Sequence, residues 1–428
     1  MIKKRILVFP CGSEIGLEIH RSMRYSAHFE LVGASSVDDH GRFVFENYIN
    51  DHLPLHDDPN FVLVLKRILK KYSIDAIYPT MDAVADTIKQ LEKQLDTIVI
   101  GSSKETTHIC ASKAKTYDKL KGKVSLPQRF LDLDSVLAFP IFIKPDCGYG
   151  SKNTLVAYDM ESAQNFLTQF LSSDMLLLEY LPGNEWTIDC FSDQHGKLHF
   201  YEPRVRARIR NGISVRTFPS NDHKSCFAQW AKNINDVLRP RGAWFFQAKL
   251  DNQGSPKLLE VAARLGGSSS LFRCLGINFA LLSAFDAFGF DVSVNANFHS
   301  IEMDRALNNK YRIRLEYDRV YVDLDDCLII NNKVNLQLVS FLHHAINQGK
   351  LIILLTRHAT DPLVTLRCHR IEELFDEVIH LQDYDISKTD YICTTKSIFI
   401  DDSYVERKEV MKVCGISTFS PDMVESLY

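Results

Sequence analysis

Pro140-Ile141-Phe142-Ile143-Lys144-Pro145-Asp146-Cys147-Gly148-Tyr149-Gly150-Ser151-Lys152 places a lysine at the end of an apolar run and follows it with a short loop holding two glycines. The run reads as a buried strand. The backbone N–H groups of Gly148, Gly150 and Ser151 can cover phosphate oxygens while Lys144 supplies positive charge. Some thirty residues upstream, Ala111-Ser112-Lys113-Ala114-Lys115-Thr116-Tyr117 offers a second cation. Downstream, Leu176-Leu177-Leu178-Glu179-Tyr180-Leu181-Pro182-Gly183-Asn184-Glu185 puts one acid at a strand end and another past a turn. Glu179 and its neighbouring backbone can hydrogen-bond a flat heterocycle edge, and Glu185 can accept from sugar hydroxyls. Trp244 to Gln247 and Leu258 to Arg264 read as two strands joined through Asn252-Gln253-Gly254. That hairpin would bring Gln247 and Glu260 together as oxygen ligands for magnesium. Each piece alone is ordinary, since strand lysines and strand-end acids usually face water; the information lies in their order and spacing.

The 428 residues exceed one ordinary core and suggest about three folding units. With 45% apolar and 24% charged residues, and no apolar run near the roughly 18 residues of a membrane helix, the composition is that of a globular, non-membrane protein. Ten cysteines without a Cys-x-x-Cys pair argue against a zinc site or a disulfide framework and point to the cytoplasm. A formal charge of -4 gives no general affinity for nucleic acid. Short strands alternating with helices up to about Gly101 indicate a parallel sheet flanked by helices. Its turn Pro10-Cys11-Gly12-Ser13-Glu14-Ile15-Gly16 resembles part of a dinucleotide-binding loop, but with only two glycines the signal is weak and a plain strand-to-helix turn is the preferred reading. From Ser102 to about Leu282 the pattern is α+β with a largely antiparallel sheet. A polar helical stretch is expected near Glu302 to Tyr311, and a second α/β series starts at Arg319.

Taken together, the motifs of the first region resemble the ATP-grasp superfamily, in the carboxylate-amine ligase branch related to carbamoyl-phosphate synthetase and D-alanine ligases. The resemblance covers about Met1 to Gly289, including a pre-ATP-grasp domain. It implies that Lys115 and Lys144 hold the phosphates of ATP, with Gly148, Gly150 and Ser151 over them. Glu179 and Leu181 would take the adenine, Glu185 the ribose, and Gln247 and Glu260 the Mg2+. Arg264 would face the transferred phosphate. The family commonly carries an asparagine two residues after the metal-binding glutamate, where this chain has Ala262. The basic segment Glu202 to Arg216 is expected to project arginines from one strand face, with Arg204, Arg206 and Arg208 as candidates for gripping a carboxylate or phosphate.

In the later series, Val320-Tyr321-Val322 runs into Asp323-Leu324-Asp325-Asp326-Cys327, and crowded carboxylates of this kind call for a divalent cation. Thr356 follows a second apolar strand, Lys388 stands in Ile386-Ser387-Lys388, and Asp401-Asp402 end a third strand. This order resembles the HAD phosphohydrolase superfamily over about Leu315 to Tyr428. It implies Asp323 as nucleophile, Asp325 as general acid and base, and Thr356 and Lys388 as phosphoryl holders. Mg2+ would be bound among Asp323, Asp325, Asp401 and Asp402. The usual Gly-Thr pair after the second acid is here Asp326-Cys327, and the short gaps leave no room for a cap domain.

The expected fold is therefore α/β and α+β multidomain: a Rossmann-like pre-ATP-grasp domain (1–101), an ATP-grasp domain (102–310) and a capless HAD-like Rossmannoid domain (315–428). The expected function is a bifunctional biosynthetic enzyme that ligates a small-molecule carboxylate to an amine and also acts on a phosphorylated small molecule. A homodimer is compatible with this. The alternatives are an ATP-grasp kinase paired with a phosphatase, or a nucleotide-binding regulatory protein with one degenerate site.

Overall fold

The computed structural model describes residues 3–148, 150, 152–170, 174–297, 299–311, 313–383 and 385–427. The chain divides into two compact units, one up to Leu307 and one from Asn308 onward.

The first unit begins with β1 (Lys4–Phe9), whose Ile6, Leu7, Val8 and Phe9 are all buried, the mark of a strand covered on both faces. It pairs in parallel with β2 (Phe29–Gly33) and β3 (Ala76–Pro79), and β3 pairs with β4 (Ile98–Val99). The Pro10–Gly16 turn is a packed corner. Ser13 caps the helix Glu14–Met23 by accepting from Gly16 N, and its hydroxyl donates to Thr80 Oγ1 at 2.8 Å. A Cβ on Gly16 would stand 2.4 Å from the Cys11 carbonyl oxygen, so this close approach of helix to turn requires glycine.

Two antiparallel sheets follow. β5 (Arg129–Phe130), β6 (Ile141–Pro145), β7 (Leu155–Ala157) and β8 (Met175–Glu179) form a small sheet in the order β5-β8-β6-β7. β9 (Glu185–Ser192), β10 (Leu198–Arg210), β11 (Ile213–Pro219), β12 (Gly242–Leu250), β13 (Pro256–Ala262) and β14 (Met303–Asp304) form the larger one, ordered β13-β12-β9-β10-β11-β14. Helix Lys224–Leu238 buries Phe227, Trp230 and Ile234 against Trp186, Trp244 and Phe246 of the large sheet. The polar stretch expected to be helical near Glu302 to Tyr311 instead supplies β14, because Met303 and Asp304 pair with Thr217 and Arg216 on the free edge of β11.

The second unit is built on β15 (Arg319–Val322), followed by the hairpin of β16 (Ile329–Ile330) and β17 (Lys333–Val334). Then come β18 (Leu351–Thr356), β19 (Glu377–His380), β20 (Ser397–Ile400) and β21 (Ser417–Phe419). Apart from the hairpin these strands are parallel, in the order β19-β18-β15-β20-β21. The strand order reverses between β15 and β20. In open α/β sheets the crevice beyond the carboxyl ends of such a pair is where ligands bind. Among the described residues, the segment from Asp323 to helix Leu336–Asn347 carries only the short hairpin. That from Thr356 to Lys388 carries helix Pro362–Cys368, a single turn at Glu372–Leu374 and β19. Asp326 has φ +53°, the left-handed backbone that favours glycine at this turn.

Among the described residues no helix is long and apolar enough to cross a membrane.

Candidate functional site

A cavity of about 360 Å³ lies in the first unit, lined by residues of both antiparallel sheets, a size within the range of small-molecule sites. β6 delivers Lys144 to it as a buried side chain whose Nζ donates to Leu259 O at 3.1 Å and Tyr117 Oη at 3.2 Å, linking the small sheet to β13. Burial, then the nearby charge of Lys113, lowers the Lys144 pKa to about 8 against the opposing pull of Glu260, Glu185 and Asp146. Gly148 and Gly150 line the cavity with φ +144° and +69°. Ser151 lies outside the described residues.

Of the two lysines in this segment, Lys113 lines the cavity and Lys115, the one the resemblance assigns to phosphate, does not. Asp146, just past β6, accepts from Ser112 Oγ at 2.6 Å and from Ala114 N at 2.7 Å, fixing the start of helix Lys113–Leu120 against the glycine loop. Lys113 is the first residue of that helix; its Nζ donates to Asp146 O at 3.1 Å and Gly148 O at 3.3 Å, and it lines the cavity. Lys115 lies two residues on, about 200° round the helix. Its Nζ stands 2.7 Å from His108 Nε2 and it does not line the cavity. The signal in the sequence was Ser112: a helix cap whose following residue is held beside the capped loop.

Glu179, Leu181 and Glu185 line the same cavity. Glu179 Oε1 is buried and accepts no hydrogen bond, with the Lys257 ammonium 3.9 Å away, which leaves it able to accept from a ligand donor. Glu185 forms an ion pair with Arg206 Nε at 2.7 Å. Gln247 and Glu260 are direct cross-strand partners and both face the cavity. Ala262 is buried opposite Phe245 and offers no ligand. Two protein oxygens suit Mg2+, which takes its remaining donors from substrate phosphates and water.

The arginines of β10 do not act as one row. Strand shifts between Arg206 and Arg208 and again before Ile209 break the alternation. Arg206 lines the cavity, donating also to Gly212 O at 2.7 Å. Arg204 is buried in an ion pair with Asp189 at 2.6 Å, and Arg208 is exposed and paired with Asp304 at 2.7 Å; neither lines the cavity. Arg264 also stands outside the lining. Asp82, at the start of helix Asp82–Leu95, holds it at 2.7 Å, and it packs over the Phe245 ring.

In the second unit, Asp323 and Asp401 follow β15 and β20, the two strands at the switch point. Lys388 Nζ bridges them, at 2.8 Å from Asp323 Oδ1 and 2.6 Å from Asp401 Oδ2. Burial raises the pKa of both carboxyls; burial also works against the charge of Lys388, but the two carboxylates more than offset it and raise its pKa. Oxygens of Asp323, Asp401 and Asp402 lie within 4.8 Å of one another, a donor set that fits a divalent cation. Asp325 is not one of these three donors; both of its oxygens lie 2.9 Å from His358 Nδ1, a partner absent from the sequence reading. Thr356, at the end of β18, is buried with its hydroxyl unpaired.

The family model described as "ATP-grasp in the biosynthetic pathway with Ter operon" matches residues 172–307. The D-alanine–D-alanine ligase of Thermotoga maritima is 27% identical over 142 residues, which is 31% of this chain and 46% of that protein. The match thus spans less than half the length of that relative. The biotin carboxylase domain of Hydrogenobacter thermophilus 2-oxoglutarate carboxylase, solved with MgADP, superposes with TM-score 0.59 at 13% identity, over 69% of this chain and 72% of that one. The chain has an ATP-grasp-like fold. N5-carboxyaminoimidazole synthetase from Staphylococcus aureus (TM-score 0.57, 15% identity, 69% and 81% covered) shares this ATP-grasp-like architecture. So does an L-amino acid ligase from Bacillus licheniformis (0.54, 18%, 67% and 74%).

Proposed function

We propose that this protein is a bifunctional enzyme: its first unit joins a carboxylate to an amine at the expense of ATP, and its second is a magnesium-dependent phosphatase. The convergence of Lys113, Lys144, Gln247 and Glu260 on one cavity carries the ligase reading. A carboxylate is a poor electrophile, and converting it to an acyl phosphate lets an amine attack. Lys113 and Lys144 would hold phosphate oxygens, and the glycine loop would cover them. Glu179 would accept from the adenine amine, and Glu185, released from Arg206 or sharing it, from the ribose. Magnesium, when bound, neutralises phosphate charge, with Gln247 and Glu260 as its protein ligands in the first unit and Asp323, Asp401 and Asp402 in the second. Arg206 is the arginine kept for an acceptor carboxylate. The likeness to D-alanine–D-alanine and L-amino acid ligases favours an amino-acid-like substrate, and the match to the ATP-grasp family of a biosynthetic pathway favours a biosynthetic role.

For the second unit, the pairing of Asp323 with Lys388 and Asp401 at the switch point supports an aspartyl-phosphate mechanism. Asp323 would attack phosphorus, Thr356 and Lys388 would hold the phosphoryl oxygens, and Asp325 would exchange protons with leaving group and water.

Screening carboxylates and amines for ADP release, with the product weighed by mass spectrometry, tests the ligase reading. Release that needs both reactants and yields their condensation product supports it. A stable phosphorylated acceptor formed without amine would replace it by a kinase. For the second unit, hydrolysis of p-nitrophenyl phosphate that disappears in Asp323→Asn supports the phosphatase; equal activity in both proteins refutes it.

A further inference from the structure

β18 ends at Thr356, and the next residue, Arg357, is tied down through Glu406 at 3.2 Å, Asp383 O at 3.1 Å and Ile386 O at 2.7 Å. His358 therefore leaves an anchored backbone, and its own carbonyl accepts from His380 Nε2 at 2.7 Å. Its ring is held at both nitrogens: Nδ1 lies 2.9 Å from each Asp325 oxygen, and Nε2 lies 2.8 Å from Thr365 Oγ1 in helix Pro362–Cys368. A carboxylate oxygen accepts the hydrogen bond, so Nδ1 donates to Asp325, and the threonine hydroxyl, which can donate or accept, serves Nε2. The His358 side chain is 16% exposed and that of Asp325 54%. A half-exposed aspartate with two free torsions is thus gripped by a ring that has almost no freedom of its own.

We propose that His358 is a positioning residue: it holds the Asp325 carboxylate oriented to take a proton from the water that hydrolyses the aspartyl phosphate on Asp323. This rests on the phosphatase reading of the second unit. In the step concerned, the water oxygen forms a bond to phosphorus and its proton passes to Asp325. The phosphorus–oxygen bond to Asp323 breaks, and Asp323 leaves as a carboxylate with inorganic phosphate as product. An N–H donor to Asp325 suits its proton-accepting form, so losing His358 weighs most on this second half of the cycle.

The test uses the full chain with p-nitrophenyl phosphate and magnesium, in wild type, His358→Ala, His358→Asn and Asp323→Asn. Turnover is measured together with the fraction of protein carrying phosphate after acid quench, read by intact mass. We expect His358→Ala to lower kcat by roughly ten- to a hundredfold, below the full range for losing an acid–base group, with KM little changed. Phosphorylated protein should accumulate in the steady state. His358→Asn, whose amide can replace the Nδ1–H donor, should recover most of the loss and clear the phosphoprotein. Turnover of His358→Ala at the wild-type rate, or a fall in turnover with no phosphoprotein and no recovery in His358→Asn, would overturn the proposal. Wild type indistinguishable from Asp323→Asn would instead remove the phosphatase reading, and the positioning role with it.

Discussion

Two residues show how burial decides what a charge is for. Arg204 and Asp189 face each other at 2.6 Å with side chains 3% exposed, which makes them a structural pair at the heart of the large sheet. Removing one partner leaves a buried charge uncompensated, so Asp189→Ala should cost about 3–5 kcal/mol of stability, whereas a double replacement by apolar residues of similar volume should cost far less. Urea denaturation of the single and double variants measures this directly. Lys144 is buried too, but beside the cavity and with its pKa lowered to about 8. Below that pH it is charged and attracts phosphate; above it the charge is lost. The Kd for a non-hydrolysable ATP analogue, measured without divalent metal, should therefore rise between pH 8 and 9, by up to about fivefold. The rise should be absent in Lys144→Met, and a flat wild-type profile would contradict the assignment. In the sequence the two cases look alike. An arginine in a basic strand and a lysine at a strand end differ only in what the neighbouring strands bring to them. Asp189 reaches Arg204 through strand pairing that no local pattern reveals.

At the scale of elements, the strands are readable wherever the apolar run is continuous: β18 and β20 are buried along nearly their whole length, and β1 and β6 over most of theirs. Glu377-Val378-Ile379-His380 escaped notice because β19 lies on the sheet edge with half-buried side chains and only two apolar residues. The helix expected around Glu302 to Tyr311 failed for a related reason. Its polar composition fits a helix surface, but an open edge on β11 captured Met303 and Asp304. The corner between β1 and the first helix is a turn whose packing makes a firm prediction. Gly16→Ala would drive a methyl group to 2.4 Å from a backbone oxygen that cannot move aside cheaply. A loss of about 1–3 kcal/mol is expected, and thermal or urea unfolding would register it. An unchanged midpoint would mean that the helix start relaxes freely.

Across the whole molecule, each unit gathers its reactive side chains at the ends or faces of its own sheets. The first does so with two antiparallel sheets about one cavity, the second at the switch point of a parallel sheet. The spacing of Lys144, Glu179, Glu185, Gln247 and Glu260 was legible because strand order and hairpin geometry bring such residues together whatever the loops do. The choice between Lys113 and Lys115 was not. Two lysines on one helical turn differ by direction alone, and direction depends on how Asp146 docks the helix start. That choice gives the sharpest test of the proposed nucleotide site. Calorimetric titration of the full chain with magnesium and a non-hydrolysable ATP analogue should show Lys113→Ala and Lys144→Met each weakening binding by about tenfold or more, the loss expected for a hydrogen bond to a charged group. Lys115→Ala should stay within about twofold of wild type. Equal affinity in Lys113→Ala and wild type, or a loss in Lys115→Ala as large as that in Lys144→Met, would contradict it.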